Sequence, residues 1–302
     1  MRKPKNELND LTGREWIRFT RTWFVCDSPR YWRNRDTEMH PARFPEEMAA
    51  EFIRFFTKRG GAVLDPFAGS GAALVACGEN GRVGVGVELN RRYARAAAER
   101  TRDFTPPQFV LPRDAREIGR AAFWRELRRY LEEAGIPFRR GLPQFDFIIT
   151  SPPYWRMLHT SRGGVVSKHQ QRALEGLDIA YSDQQEDIGN IEEYGDFLAA
   201  LARVFAAARR CLKEEKYLVI VAQNLRDPQG EVQTLPWDLT RRLARHWQFQ
   251  GERIWCQNTK PLGIWGYPRI FVPNYHHHYC LIFRRRGNGR GSGFGARGSE
   301  RP

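Results

Sequence analysis

The chain is 302 residues long, 41% hydrophobic and 28% charged, and its 49 Lys and Arg against 35 Asp and Glu leave a formal net charge of +14. That composition reads as an ordinary globular protein, and the basic excess points to a polyanionic partner. No apolar run approaches a membrane span and no signal peptide opens the chain. The five scattered cysteines (Cys26, Cys77, Cys211, Cys256 and Cys280) lack metal-ligand spacing, so a reducing, cytoplasmic setting without disulfides is expected.

Residues 1–40 interleave aromatics with arginine. Trp16, Phe19, Thr20 and Trp23 share helical spacing, which predicts a helix packed on the core as part of an N-terminal extension. Arg30 to Arg35 has no such period and reads as a loop able to reach a substrate. After His40-Pro41-Ala42-Arg43-Phe44-Pro45, a helix is expected from Glu46 to Thr57, with Met48, Phe52, Ile53 and Phe56 as its apolar stripe. Pro45 stands where a first-turn proline belongs, and Gly60-Gly61 stops the helix.

Ala62 to Asp65 is a short strand that runs into Pro66-Phe67-Ala68-Gly69-Ser70-Gly71, and an alanine-rich helix follows to about Glu79. Strand, glycine turn and helix N-terminus make a ligand cradle, because glycine lets backbone N–H groups approach a ligand closely. Phe67 either anchors this loop in the core or lines the pocket. A second strand, Gly84 to Val87, ends in Glu88, about 20 residues on, where ribose hydroxyls would be gripped. Helix 91–102 and a third strand, Phe109 to Leu111, lead to Asp114. The loop, Glu88 and Asp114, each at a strand end, form a set suited to an adenosine-containing cofactor.

Helix 121–134 delivers the chain to Phe147-Ile148-Ile149-Thr150, a buried strand halted by Ser151-Pro152-Pro153-Tyr154-Trp155. The prolines cannot donate to a sheet ladder, so the strand ends in a rigid turn. The Ser151 hydroxyl and the Pro152 carbonyl are two acceptors that can polarise the exocyclic amine of a nucleobase. Tyr154 offers a stacking platform for a base turned out of its helix. Trp155 and Arg156 follow and are candidates to touch the target's backbone. Residues 156–190 are polar and read as a lid over the site.

A strong amphipathic helix is expected over 192–213, then strand Tyr217–Ala222, helix 236–247, strand Glu252–Cys256, and a last strand, His278–Phe283, pairing antiparallel. In the turn before that strand, Trp265 and Tyr267 either wall a base pocket or fill the turn. His276-His277-His278 does not make a metal site: neighbours on a strand point to opposite faces, and no carboxylate or cysteine cluster accompanies them. From Arg284 on, Arg-Gly-Ser-rich sequence cannot form a core and is expected to be disordered. Seven strands alternating with helices give a doubly wound α/β sheet, mainly parallel with a terminal antiparallel strand, occupying residues 41–285. Both chemical sites lie at the switch point of such a sheet and open into one crevice.

These residues resemble the S-adenosylmethionine-dependent amino-methyltransferases of nucleic acids, of the DNA N4-cytosine/N6-adenine methylase type. Asp65 to Gly71 is similar to that family's cofactor loop. Ser151-Pro152-Pro153-Tyr154 is similar to its catalytic tetrapeptide, in the serine form usually seen with cytosine N4. His40 to Pro45 resembles the segment lining the methionine end of the cofactor, placing His40, Pro41 and Phe44 there. The resemblance covers roughly residues 10–285. It implies a Rossmann-like class I methyltransferase fold, S-adenosyl-L-methionine as cofactor, Glu88 on its ribose and Asp114 on its adenine. The implied reaction is methylation of cytosine N4 in DNA. The alternatives are cytidine N4 in a structured RNA, adenine N6 in DNA, or a nucleic-acid-binding module with a degenerate methylase fold. The cofactor loop precedes the tetrapeptide here, and no large insert for reading DNA sequence is evident, which keeps the RNA alternative in view.

Overall fold

The computed structural model describes residues 6–27, 44–155, 187–227, 230–260, 262–264 and 266–287. Alternation in the apolar runs decides which side of the central sheet each side chain serves. Along strands β2 (Ala62–Asp65), β7 (Phe145–Thr150) and β8 (Leu212–Ala222), Val63, Phe147 and Val219 face one apolar layer, while Leu64, Ile148 and Ile220 face the other. Helices α2 (Glu46–Phe56) and α3 (Ala72–Glu79) cover the first face. The second is covered by α7 (Tyr194–Cys211) and α8 (Leu235–Leu243), with the buried Trp124 and Trp247.

The main sheet also holds β1 (Trp23–Val25), β3 (Val83–Val87), β4 (Phe109–Leu111), β11 (Gln248–Cys256) and β12 (His277–Arg284), in the order β1-β11-β12-β8-β7-β2-β3-β4. Every neighbouring pair is parallel except those made by β12, which runs antiparallel to both β8 and β11. The strand that closes the chain's sheet sequence is therefore internal to the sheet. The carboxyl ends of β2, β3, β4, β7, β8 and β11 share one edge, from which β12 starts. Two short hairpins, β5 (Phe138–Arg139) with β6 (Leu142–Pro143) and β9 (Leu225–Arg226) with β10 (Val232–Gln233), lie outside it.

The architecture is the expected doubly wound α/β sheet, with three local departures. Trp23 does not continue the first helix: α1 (Gly13–Phe19) opens with a Thr12–Glu15 capping box, and Thr20 closes it. Trp23 then begins an eighth strand that pairs in parallel with β11 and leaves its ring 52% exposed. Helix 121–134 is two pieces, α5 (Ala121–Trp124) and α6 (Arg128–Glu133), because the chain tightens to an i→i+3 bond from Leu127 N–H to the Trp124 carbonyl. Phe123 and Trp124 are both buried there. Pro45 is the N-cap of α2 rather than a first-turn residue, and Thr57 ends that helix before Gly60-Gly61.

The N-terminal stretch grips α2 by its rings. Phe19 stacks on Phe55 at 3.8 Å, and Trp16 meets Phe55 at 4.8 Å. Arg253 of β11, 5% exposed, lies 4.0 Å over Phe19 and 4.3 Å over Phe24. Its Nε donates to the Arg21 carbonyl at 3.0 Å. A buried guanidinium between aromatic faces is stabilised by their quadrupoles, so one side chain ties strand β11 to the segment before it.

Candidate active site

Strand β2 is four buried residues and ends in an acid, so Asp65 is carried inside the protein, 2% exposed. Its Oδ1 accepts from the Phe67 N–H at 3.0 Å, shaping the loop's first turn, and from the Thr150 hydroxyl at 2.6 Å. Thr150 is the last residue of β7, the strand beside β2. The tips of the two strands are thereby bonded to each other directly, one residue before Ser151. Burial pushes the Asp65 carboxyl up to about 7, with the Thr150 and Phe67 donors opposing it.

The glycine loop is seated by a second acid. Glu88, next after β3, accepts from the Gly69 N–H through Oε2 and from the Asn90 N–H through Oε1, both at 2.8 Å. Burial pushes its carboxyl up to about 7; the two backbone donors oppose this, while the charges of Asp187 and Asp65 add to it. A carboxylate has about four acceptor positions, so two remain for a ligand's hydroxyls. Gly71 caps α3 at φ +85, and a Cβ there would lie 2.8 Å from the Ala97 Cβ of α4 (Arg91–Thr101). Only glycine suits both the left-handed backbone and that approach. The buried Ser70 hydroxyl has no hydrogen-bond partner among the described residues. An orphaned hydroxyl, free acceptor positions on Glu88 and a tight glycine cradle fit an adenosine-containing cofactor.

Ser151 is half-buried, and its hydroxyl lies 3.3 Å from the Val221 carbonyl on β8 and 3.4 Å from the Tyr154 hydroxyl. Pro152 is buried and Pro153 half-buried. Donation to Val221 turns the serine oxygen's lone pairs outward, which makes it an acceptor. Asp187, 6% exposed, caps a 3-10 turn, Ile188–Asn190, and its charge is felt at Glu88.

Several expected residues stand differently from their expectation. Tyr154 is 3% exposed within the core, so its ring is not an open platform; the Ser151 contact draws its hydroxyl inward. Trp155 is a bracket: its Nε1 donates to the Ile191 and Glu192 carbonyls at 2.9 and 3.1 Å, and its ring tilts against Tyr194. Tyr267 neither walls a pocket nor fills a turn, being 82% exposed. Phe67 packs on the core and meets Phe205 edge-on at 6.3 Å, and Phe44, 5% exposed, lies in the layer around α2. Asp114 caps the 3-10 turn Ala115–Glu117, and Arg116 holds its carboxylate at 2.6 Å. His40, Pro41, Arg156 and Trp265, and residues 156–186 of the expected lid, lie outside the described residues.

Gln223-Asn224 follow β8 on the site's edge, and the histidines open β12 beside it. His278 stacks on Trp255 at 4.7 Å, and burial lowers its ring to about 3. No group of three His, Cys, Asp or Glu side chains able to hold a metal stands together among the described residues. Thr150, Val221 and Asp187 escaped the sequence reading. A strand-end threonine, a carbonyl and one acid in a polar stretch carry no individual signature, although Asp187-Ile188-Gly189-Asn190 does read as a capped turn.

The profile of the DNA methylase family matches residues 2–99, which include the cofactor loop and Glu88. The match spans a third of the chain. The type II methyltransferase M.SmaI of Serratia marcescens is 46% identical over 71 residues, 22% of this chain and 24% of the relative. M.HpaI of Haemophilus parainfluenzae is 36% identical over 67 residues, 22% and 21% of the two chains. The chain thus covers about a quarter of the length of these curated relatives. Among solved structures, TrmN from Thermus thermophilus is similar with a TM-score of 0.48 and 14% identity, over 86% of this chain and 54% of that one. At that level it says nothing of activity.

Proposed function

We propose that the chain is an S-adenosylmethionine-dependent methyltransferase acting on an exocyclic amino group in DNA, with cytosine N4 as the favoured acceptor. The observation that carries this reading is the 2.6 Å bond between Thr150 and Asp65, which locks a cofactor-type loop and a serine turn to adjacent strand tips on one edge. Asp65, Gly69 to Gly71 and Glu88 would hold the cofactor, with Asp114 beside them. Bound there, S-adenosylmethionine would supply an electrophilic methyl group. The chain's own part is to present and polarise the amine. With its hydroxyl donating a hydrogen bond to the Val221 carbonyl, the Ser151 oxygen accepts from one amine N–H, and the Pro152 carbonyl from the other. Both draw the nitrogen lone pair out of conjugation as charge develops. No strong base is needed, because the nitrogen loses its proton after transfer.

Cytosine N4 is favoured by the serine form of the tetrapeptide, a nucleic-acid substrate by the basic charge, and DNA by the family match. The test is incubation with methyl-labelled S-adenosylmethionine and separate pools of unmethylated DNA, ribosomal RNA and transfer RNA, followed by mass identification of the nucleoside. N4-methylcytosine in the DNA pool is expected. N6-methyladenine would overturn the choice of acceptor, label in RNA alone the choice of nucleic acid, and no label in any pool the reading itself.

A further inference from the structure

The loop between β11 and β12 exposes an apolar surface that no described residue covers. Leu262, Ile264, Tyr267, Ile270 and Phe271 are 77%, 86%, 82%, 68% and 88% exposed. Side chains of this kind gathered in one loop are costly in water and mark a surface that meets a partner. The loop is nonetheless braced. Asn274 donates to the Gly263 carbonyl and accepts from its N–H, both at 2.9 Å, and Lys260 donates to the Tyr275 carbonyl at 2.6 Å. Gly266 accepts from the Arg269 and Ile270 N–H groups at 2.8 and 2.9 Å. A Cβ on Gly266, at φ +71, would lie 2.4 Å from the Ile270 carbonyl, so this turn holds its shape only with glycine.

Charge and position choose the partner. Between Gln257 and His276 there is no Asp or Glu, whereas Lys260 and Arg269 are present, which favours a polyanion. The loop leaves the sheet on the edge that carries Ser151, and β12 begins two strands from β7, about 10 Å away at ordinary strand spacing. A base that reaches Ser151 from a duplex must leave its stack, and apolar side chains inserted between base steps hold such a gap open. Resting on the methyltransferase reading, we infer that this loop is a wedge: Ile264, Tyr267, Ile270 and Phe271 enter a DNA duplex beside the extruded base, and Arg269 meets the backbone phosphates.

The test compares the full chain with the double variant Ile270→Ser, Phe271→Ser on native and on heat-denatured unmethylated genomic DNA. Circular dichroism and thermal melting confirm the fold, which exposed positions should leave intact. The wedge requires methylation of native DNA to fall about tenfold or more while that of denatured DNA stays within about twofold. Equal loss on both DNAs, or none on native DNA, overturns it. If the unaltered chain methylates neither DNA, the reading of the site has failed on its own account. Mixed-sequence duplexes carrying 2-aminopurine then decide the loop: a fluorescence rise that the double variant abolishes supports the wedge, and no rise overturns it. Sedimentation showing a dimer that the double variant breaks would assign the surface to a second copy of the chain and also overturn the wedge.

Discussion

The tips of β2 and β7 and the loop between β11 and β12 leave the same edge of the sheet with opposite chemistry. At the tips, polar groups are buried or half-buried and bonded to one another: Asp65 to Thr150 and Phe67, Glu88 to Gly69 and Asn90, Ser151 to Val221. In the loop, apolar groups stand in water on a frame held by Asn274 and Gly266. Polarising an amine needs acceptors fixed in advance where water is scarce. Gripping a large ligand needs surface that is exposed until the ligand arrives. One edge serves both because β12 is antiparallel, so a connection returns beside the strands whose ends carry the chemistry.

The comparison breaks most sharply at Ser151. Ser151→Ala should lower single-turnover methyl transfer about 10²- to 10³-fold on native and denatured DNA alike, as removal of one transition-state acceptor does. Cofactor affinity by calorimetry should be unchanged, and an equal loss of affinity would remove Ser151 from its assigned place. Next is Asp65. Its carboxyl titrates near 7 in the folded chain and near the ordinary ~3.9 when unfolded, so the folded state binds the extra proton between those values. That stability is therefore full below about pH 4 and lost as the pH rises to about 7, an effect of about 2–4 kcal/mol that Glu88, shifted the same way, extends. Denaturant titrations from pH 5 to 8 should show it. Asp65→Asn, which keeps Oδ1 for Thr150 and Phe67, should flatten the slope, and an unchanged slope would exclude Asp65 as its source.

Asn274→Ala tests the other region. It removes both bonds to Gly263 and should reduce methylation of native DNA about 3- to 10-fold, with about 1 kcal/mol lost from stability and denatured DNA unaffected. The smallest effect is expected from Tyr267→Ser. At 82% exposure the ring supports no packing, so the melting free energy should move by no more than about 0.5 kcal/mol. A larger loss would show that the loop is structural.

How far the sequence was readable follows the same division. The glycine loop, Glu88 and the proline-stopped strand could be read because backbone constraint forces residue type: φ +85 at Gly71 and an acid at a strand tip leave few choices. The doubly wound class followed from alternating strands and helices, but the strand order, with β12 inside the sheet, did not. Trp23 was misread because helical spacing continues past Thr20, where the cap ends the helix and β11 offers a partner. Tyr154 was misread because a ring that stacks on a ligand and a ring buried in the core look alike until the neighbours are placed, and the bonds by which Trp155 holds Ile191 and Glu192 leave no mark in the local sequence. The bond from Thr150 to Asp65 joins residues 85 apart, and no local pattern reports it.

Trp155 carries a consequence of its own. Its indole nitrogen reaches the carbonyls of Ile191 and Glu192, so positions far apart along the backbone meet as the two jambs of a doorway. The serine turn is thereby moored from two directions, on one side through Thr150 to Asp65 and on the other through the indole to these carbonyls, so neither anchor alone sets where Ser151 stands.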